Sequence, residues 1–155
     1  MRQSEGTSTG RNPSGPARLA MKFATSAHAG VYRASGGKLG GSMGKSPVLL
    51  LNTVGRKTGV ERTTPLLYAM DSEDYAIAAS YGGAPKHPDW FLNLQANPET
   101  SIEVGGRKIN VRAEVATPED KPRLWAKLTE MYPTYDDYRK KTDREIPVVI
   151  LHPRD

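Results

Sequence analysis

The chain has 155 residues, enough for one domain with a real hydrophobic core. Lys and Arg outnumber Asp and Glu by 22 to 17, a net charge of +5 that suits an acidic ligand, nucleic acid or an anionic membrane. The lack of cysteine excludes thiol nucleophiles, disulfides, thiolate zinc sites and cysteine-ligated iron–sulfur clusters.

No apolar stretch approaches the roughly 20 residues of a membrane span, and the N-terminus lacks the apolar core of an export signal, so a soluble cytoplasmic chain is expected. Residues 1–16, "MRQSEGTSTGRNPSGP", offer only Met1 as a sizeable apolar side chain and predict a disordered tail. Residues 17–155 then make a single domain. From Ala17 to about Arg33, Leu19, Phe23, Ala27 and Val31 recur at helical spacing. The resulting helix packs on the domain, and its basic residues Arg18, Lys22 and Arg33 would also let it touch an anionic membrane at the inner face. "SGGKLGGSMGKS" reads as a flexible glycine-rich loop.

"PVLLLNTV" predicts a buried strand, and "VERTTPLLYAM" a second one reached through the polar turn "GRKTG". "DSED" turns the chain into a third strand, "YAIAAS", which ends where the glycines and prolines of "YGGAPKHPD" break regular structure. A short helix from His87 or Asp89 to Ala96 follows, stopped by "NP". "TSIEV" and "KINVRAEV" flank a Gly-Gly pair suited to a tight hairpin. "TPEDKPRLWAKLTEMY" predicts a helix with Thr117 as N-cap and Pro118 at its first position, and "IPVVIL" a last strand. Strands grouped around two or three helices, without strand–helix alternation, predict an α+β domain built on an antiparallel barrel with the helices packed outside.

The loop "GRKTG" is the first candidate site. A glycine-flanked turn after a strand can present several backbone N–H groups together, and Arg56, Lys57, Thr58 and Arg62 add donors that suit a phosphate. Its spacing is not that of a P-loop, and no G-x-G-x-x-G opens a helix, so nucleotide triphosphate and Rossmann readings fail. A solvated basic hairpin turn fits these residue types equally well. Tyr132, Tyr135 and Tyr138, spaced by three, are the second candidate; by residue type alone they cap the core. His28, His87 and His152 lack metal-ligand spacing, so no metal is expected and His87 reads as solvent-facing. The basic residues are scattered, without the basic-aromatic groove of a nucleic-acid binder.

In order, "GRKTGVERTTPL", "AASYGGAPKHPDWFLNLQANP" and "MYPTYDDYRKKTDREIPVVIL" resemble the deazaflavin-dependent nitroreductases, also described as F420H2-dependent quinone reductases. The resemblance runs from about Gly36 to the end. It implies a split β-barrel related to the FMN-binding pyridoxamine-phosphate oxidases, and reduced coenzyme F420, a deazaflavin with a phosphate and an oligoglutamate tail. It places Arg56, Lys57 and Thr58 at the coenzyme's phosphate and tail, with Arg62 on the same strand. Thr64, Pro65 and Leu66 match the segment beside the deazaflavin ring, as do Ala78, Ala79 and Ser80, while Gly82 and Gly83 let backbone approach the ligand. Lys86 is a further cation for an acidic group, and Trp90 and Asn93 match the helix that walls the site. Ser80, Tyr132, Tyr135 and Tyr138 are then the catalytic candidates, lining the acceptor side. The activity implied is hydride transfer to a quinone, with nitroaromatics as side substrates, by a monomer or homodimer. An FMN-dependent oxidoreductase on the same barrel and a non-enzymatic basic binding module are the alternatives.

Overall fold

The computed structural model describes residues 42–43 and 46–154; the expected tail over 1–16 and helix over 17–33 lie outside the described residues. Part of the glycine-rich segment is more ordered than its composition predicts, because β1 (Ser42–Met43) pairs with the start of β2 (Ser46–Val54). The "GRKTG" turn leads from β2 to β3 (Glu61–Leu67), which β4 (Ala69–Asp71) and β5 (Asp74–Ala78) follow. Helix α1 (Asp89–Ala96) separates these from the hairpin of β6 (Glu99–Val104) and β7 (Arg107–Val115). Its turn residues Gly105 and Gly106 have φ of 58° and 83°, the left-handed pair that the Gly-Gly sequence predicts. Helices α2 (Lys121–Met131) and α3 (Thr134–Lys140) precede β8 (Val148–Pro153). Thr117 does accept the Asp120 N–H, at 3.2 Å, but it heads a separate turn and the helix proper starts three residues later than its capping pattern predicts.

Every strand pairing is antiparallel, in the order β1-β2-β6-β7-β8-β5-β4, with β3 also on β2. Because β3 runs through Tyr68 directly into β4, one bent segment pairs with β2 at its start and β5 at its end, curling the sheet into a split barrel. The two-residue period of the strands sorts their side chains between two cores. Leu49 and Leu51 of β2, Ile77 of β5 and Val149 and Leu151 of β8 point inward onto Trp90, Phe91 and Leu94 of α1. Helix α1 therefore packs on one face of the curled sheet and α2 and α3 on the other, outside the strands as the sequence pattern predicts. Val48, Ala76, Ala78, Val148 and Ile150 point the other way, onto Leu124, Trp125 and Leu128 of α2 and Tyr135 of α3. Each large side chain so buried contributes about 1.5–3 kcal/mol. No helix among the described residues is long and apolar enough to cross a membrane.

On the opposite rim, His152 of β8 joins two neighbouring strands. Its Nδ1 is 3.1 Å from Asp74 and its Nε2 is 2.8 Å from Glu114. Both ring nitrogens can donate only in the imidazolium form. Burial alone would lower its pKa, but the hydrogen bonds to Glu114 and Asp74 outweigh that and raise it. A raised folded-state pKa means that the contribution is complete below the unfolded value of about 6.5 and is lost as pH rises through the folded value. The melting temperature of the wild type should therefore exceed that of His152→Gln at pH 5.5, with the gap closing by pH 8.5. A gap that does not change with pH would rule out the charged pairing.

Candidate active site

The turn after β2 is built more tightly than its glycines predict. The Gly55 N–H bonds the Val60 carbonyl and the Gly59 N–H the Gly55 carbonyl, both at 2.8 Å. The Val60 N–H bonds Thr58 Oγ1 at 3.2 Å, and the Arg56 N–H bonds Asn93 Oδ1 at 3.1 Å. Four amides that sequence reasoning offered to a phosphate are thus already used. Anion capture here falls to side chains. Arg56 is partly committed too, donating to Asn93 Oδ1 at 2.9 Å and facing Asp89 at 3.5 Å. Buried Asn93, which also reaches Thr53 at 3.5 Å, anchors this turn to α1. Lys57 and Arg62 are exposed and make no ion pair among the described residues, so their charge is free for an anion.

The second half of the site lies where the barrel splits. Extending the β4–β5 register would set Leu67 beside Ala78 and Pro65 beside Ser80, yet β3 leaves β5 and pairs with β2 instead. Pro65 suits this edge, since its missing N–H costs no ladder bond where only one side is paired. Beyond the seam, Ser80 has φ −78° and ψ −37°, followed by Tyr81, Gly82 and Gly83 at φ of 48°, 63° and 82°. A right-handed residue followed by left-handed ones turns successive N–H groups toward one side, an anion-receiving shape. Among the described residues the N–H groups of Ser80, Tyr81 and Gly82 have no partner, whereas those of Gly83 and Ala84 bond the carbonyls of Ser80 and Tyr81. Tyr81 in this conformation stores about 1–2 kcal/mol of strain. The Ser80 side chain sits in a residue only 7% exposed, and its hydroxyl also has no partner among the described residues. A buried hydroxyl left unpaired is costly unless something else bonds it.

The tyrosines border the same turn. A Cβ on Gly83 would lie 2.9 Å from the Tyr138 carbonyl, so turn and α3 touch backbone to backbone. Tyr135 and Tyr138 are on α3, whereas Tyr132 sits in the link before it, so the three share a cluster but not one helix. Their ring centroids lie 5.0–6.3 Å apart, and the Tyr132 and Tyr138 hydroxyls are 3.4 Å apart. Tyr135 is core, 5% exposed against Trp125, and burial pushes its pKa up, helped by Tyr132 and Tyr138. The Tyr138 phenol is pushed up to about 12 by its hydrogen bond to Tyr132 and then by burial. Both phenols keep their protons at neutral pH.

A family model described as F420H(2)-dependent quinone reductase matches residues 24–153. The chain belongs to this family. A F420H(2)-dependent quinone reductase of Mycobacterium tuberculosis is 43% identical over 128 residues, covering 80% of this chain and 86% of the relative. Among solved structures, an F420-H2 dependent reductase (FDR-A) superposes with TM-score 0.64 at 39% identity, covering 68% of this chain and 94% of the other. A structure described as a domain-swapped dimer gives TM-score 0.66 at 33% identity over 86% of this chain and 99% of its own. The F420H(2)-dependent quinone reductases are oxidoreductases, and coenzyme F420 is their cofactor. The residues present fit such an anionic, carbonyl-bearing group. Among the described residues Lys57 and Arg62 are unpaired cations, and Ser80 offers an unpartnered hydroxyl beside three unpaired amides.

Not every residue matched to the family faces that opening in this reductase. Ala78 and Ala79 are buried on opposite sides of the sheet, and Trp90 is buried edge-on against Phe91. Thr64, Pro65 and Leu66 are half-buried along the β3 edge, and Lys86 is exposed and unpaired among the described residues. His87 is half-buried and tilted on Phe91 at 4.9 Å, where sequence reasoning has it facing solvent. Its Nδ1 lies 3.0 Å from Arg144, a residue of the third family-like motif whose role the sequence does not single out. Beyond Arg144 a groove of about 1000 Å³ holds none of the family-matched positions. Its other cations, Lys121 and Arg139, are paired with Glu145 and Asp136, so it offers an anion less than the seam does. No group of three His, Cys, Asp or Glu side chains among the described residues could hold a metal ion.

Proposed function

We propose that this F420-dependent oxidoreductase passes a hydride to a quinone, with nitroaromatics as side substrates, at the seam between β3 and the Ser80–Gly83 turn. The observation that carries this reading is the buried Ser80 hydroxyl, without a partner among the described residues, beside the N–H groups of residues 80–82, which also have none there. When bound, the reduced deazaflavin supplies the hydride, and hence two electrons. Lys57, Arg62 and Thr58 would hold the phosphate and acidic tail at the far end of β3, with Arg56 kept in place by Asn93. Ser80 and its neighbouring amides would orient the ring system. Tyr132 and Tyr138 would wall the acceptor, exclude water and donate hydrogen bonds to quinone oxygen as it gains charge. The second proton of the hydroquinone comes from solvent, since a phenol held near 12 is a better donor of hydrogen bonds than of protons. A homodimer is the assembly we favour, following the relative described as a domain-swapped dimer.

Anaerobic titration with reduced F420, followed by a panel of quinones and nitroaromatics, tests this, with FMN, NADH and NADPH run in parallel. Tight FMN binding without deazaflavin binding would overturn it. Lys57→Ala should weaken coenzyme binding more at low salt than at high salt, because exposed charges are screened beyond about 8 Å at physiological ionic strength. A loss independent of salt would place the acidic tail elsewhere.

A further inference from the structure

The strained turn is held from behind by one side chain. Arg144, on the segment between α3 and β8, donates from Nη2 to the Ser80 carbonyl at 2.8 Å and from Nε to the Ala84 carbonyl at 2.9 Å. These two carbonyls bracket the left-handed residues 81–83. Its Nη1 reaches His87 Nδ1 at 3.0 Å and the Glu145 carbonyl at 3.4 Å. Arginine has no acceptor, so His87 Nδ1 must accept, which fixes the neutral imidazole with its proton on Nε2. The guanidinium makes no ion pair among the described residues. A partly buried cation committed to carbonyls and a neutral ring is an expensive way to fill space, whereas a rigid planar fork is well suited to fixing two carbonyls at a set distance. With the Ser80 carbonyl also accepting from Gly83 at 2.9 Å, the Ser80 backbone is held while its hydroxyl stays free.

We propose that Arg144 is a positioning residue for the coenzyme site: its fork holds the Ser80–Gly83 turn in the strained form that keeps the Ser80 hydroxyl and the amides of residues 80–82 available to the ligand. This rests on the reading of the seam as the coenzyme site. A left-handed Tyr81 persists only while its surroundings enforce it, and Arg144 supplies that enforcement through the two carbonyls that bracket it.

The test compares Arg144→Gln and Arg144→Lys, neither of which reproduces the fork. In the coenzyme-free protein, hydrogen exchange of the Gly83 and Ala84 amides should rise about tenfold or more in both variants, with β2 and β6 amides unchanged. Affinity for F420, read from its own fluorescence, should fall about tenfold in both, equally at low and high salt, as expected for lost geometry rather than lost charge. Adding Tyr81→Gly should recover most of that affinity in the Arg144→Gln background, because glycine takes the left-handed conformation without strain. Recovery of affinity by Lys would make Arg144 a simple charge, and unchanged exchange at Gly83 and Ala84 would remove its hold on the turn; either overturns the proposal. If Arg144→Gln does not fold, Arg144→Lys carries the same comparisons. A wild type that binds no F420 would sink the functional reading alone, since the exchange experiment needs no coenzyme.

Discussion

Ser80→Ala is expected to leave the fold as stable as the wild type, or slightly more so, while lowering coenzyme affinity or turnover by about 10- to 100-fold, the worth of one hydrogen bond to a charged group. The two readouts move apart because the hydroxyl has no partner among the described residues. Its residue is 7% exposed, and the carbonyl, not the side chain, receives the Gly83 and Arg144 bonds. Removing a buried donor that nothing satisfies relieves a desolvation cost of about 1–3 kcal/mol, against the small loss of packing from one oxygen. A ligand that accepts from Ser80 turns that cost into binding free energy. Thermal unfolding and coenzyme titration on the same preparation decide the matter. A clear drop in melting temperature would mean that the hydroxyl serves the fold, and the site would then have to be sought elsewhere.

Gly83→Ala should be the most disruptive single methyl in the site, and Gly82→Ala is its control. Both residues have positive φ, 82° and 63°, so each alanine carries a backbone penalty of about 1–2 kcal/mol. They differ in surroundings. A Cβ on Gly82 meets nothing within 4 Å, whereas one on Gly83 meets the Tyr138 carbonyl at 2.9 Å and Lys141 Cβ at 3.0 Å. Backbone cannot swing aside as a flexible side chain can, so turn and α3 must separate, adding about 1–3 kcal/mol of overpacking cost. Together the Gly83 terms amount to about 2–5 kcal/mol, a fall in melting temperature on the order of 10 °C for a domain of this size. Activity should fall with it, because the same displacement moves Tyr138 away from Ser80. Equal losses for the two variants would show that only backbone conformation matters and that the α3 contact is dispensable.

The strands were legible in the sequence because their signals are local. "PVLLLNTV" is apolar on both faces and became the strand with cores on each side, and the Gly-Gly pair between "TSIEV" and "KINVRAEV" could only be a left-handed hairpin turn. The family, too, was legible, because three ordered motifs carry it. Composition likewise excluded thiol chemistry from the protein's own side chains. Which sheet face α1 covers was not legible, since an apolar helix reads the same against either face. Tertiary packing alone decided that Trp90 faces inward and that Asn93 consumes an amide and part of a guanidinium in the basic loop. It also separated three equally spaced tyrosines into one core residue, Tyr135, and a hydroxyl pair, Tyr132 and Tyr138, because the α2–α3 boundary falls between them. Arg144 shows the limit most plainly. In the sequence it lies within the third family-like motif, yet it is one of 22 cations and nothing local sets its role apart from theirs. Its partners, Ser80 and Ala84, are about sixty residues away, and only the closing of β8 against β5 brings the fork to the turn. Local patterns specify elements because hydrogen bonding and side-chain period act over a few residues; a site assembled by long-range contacts exists only once the chain has folded.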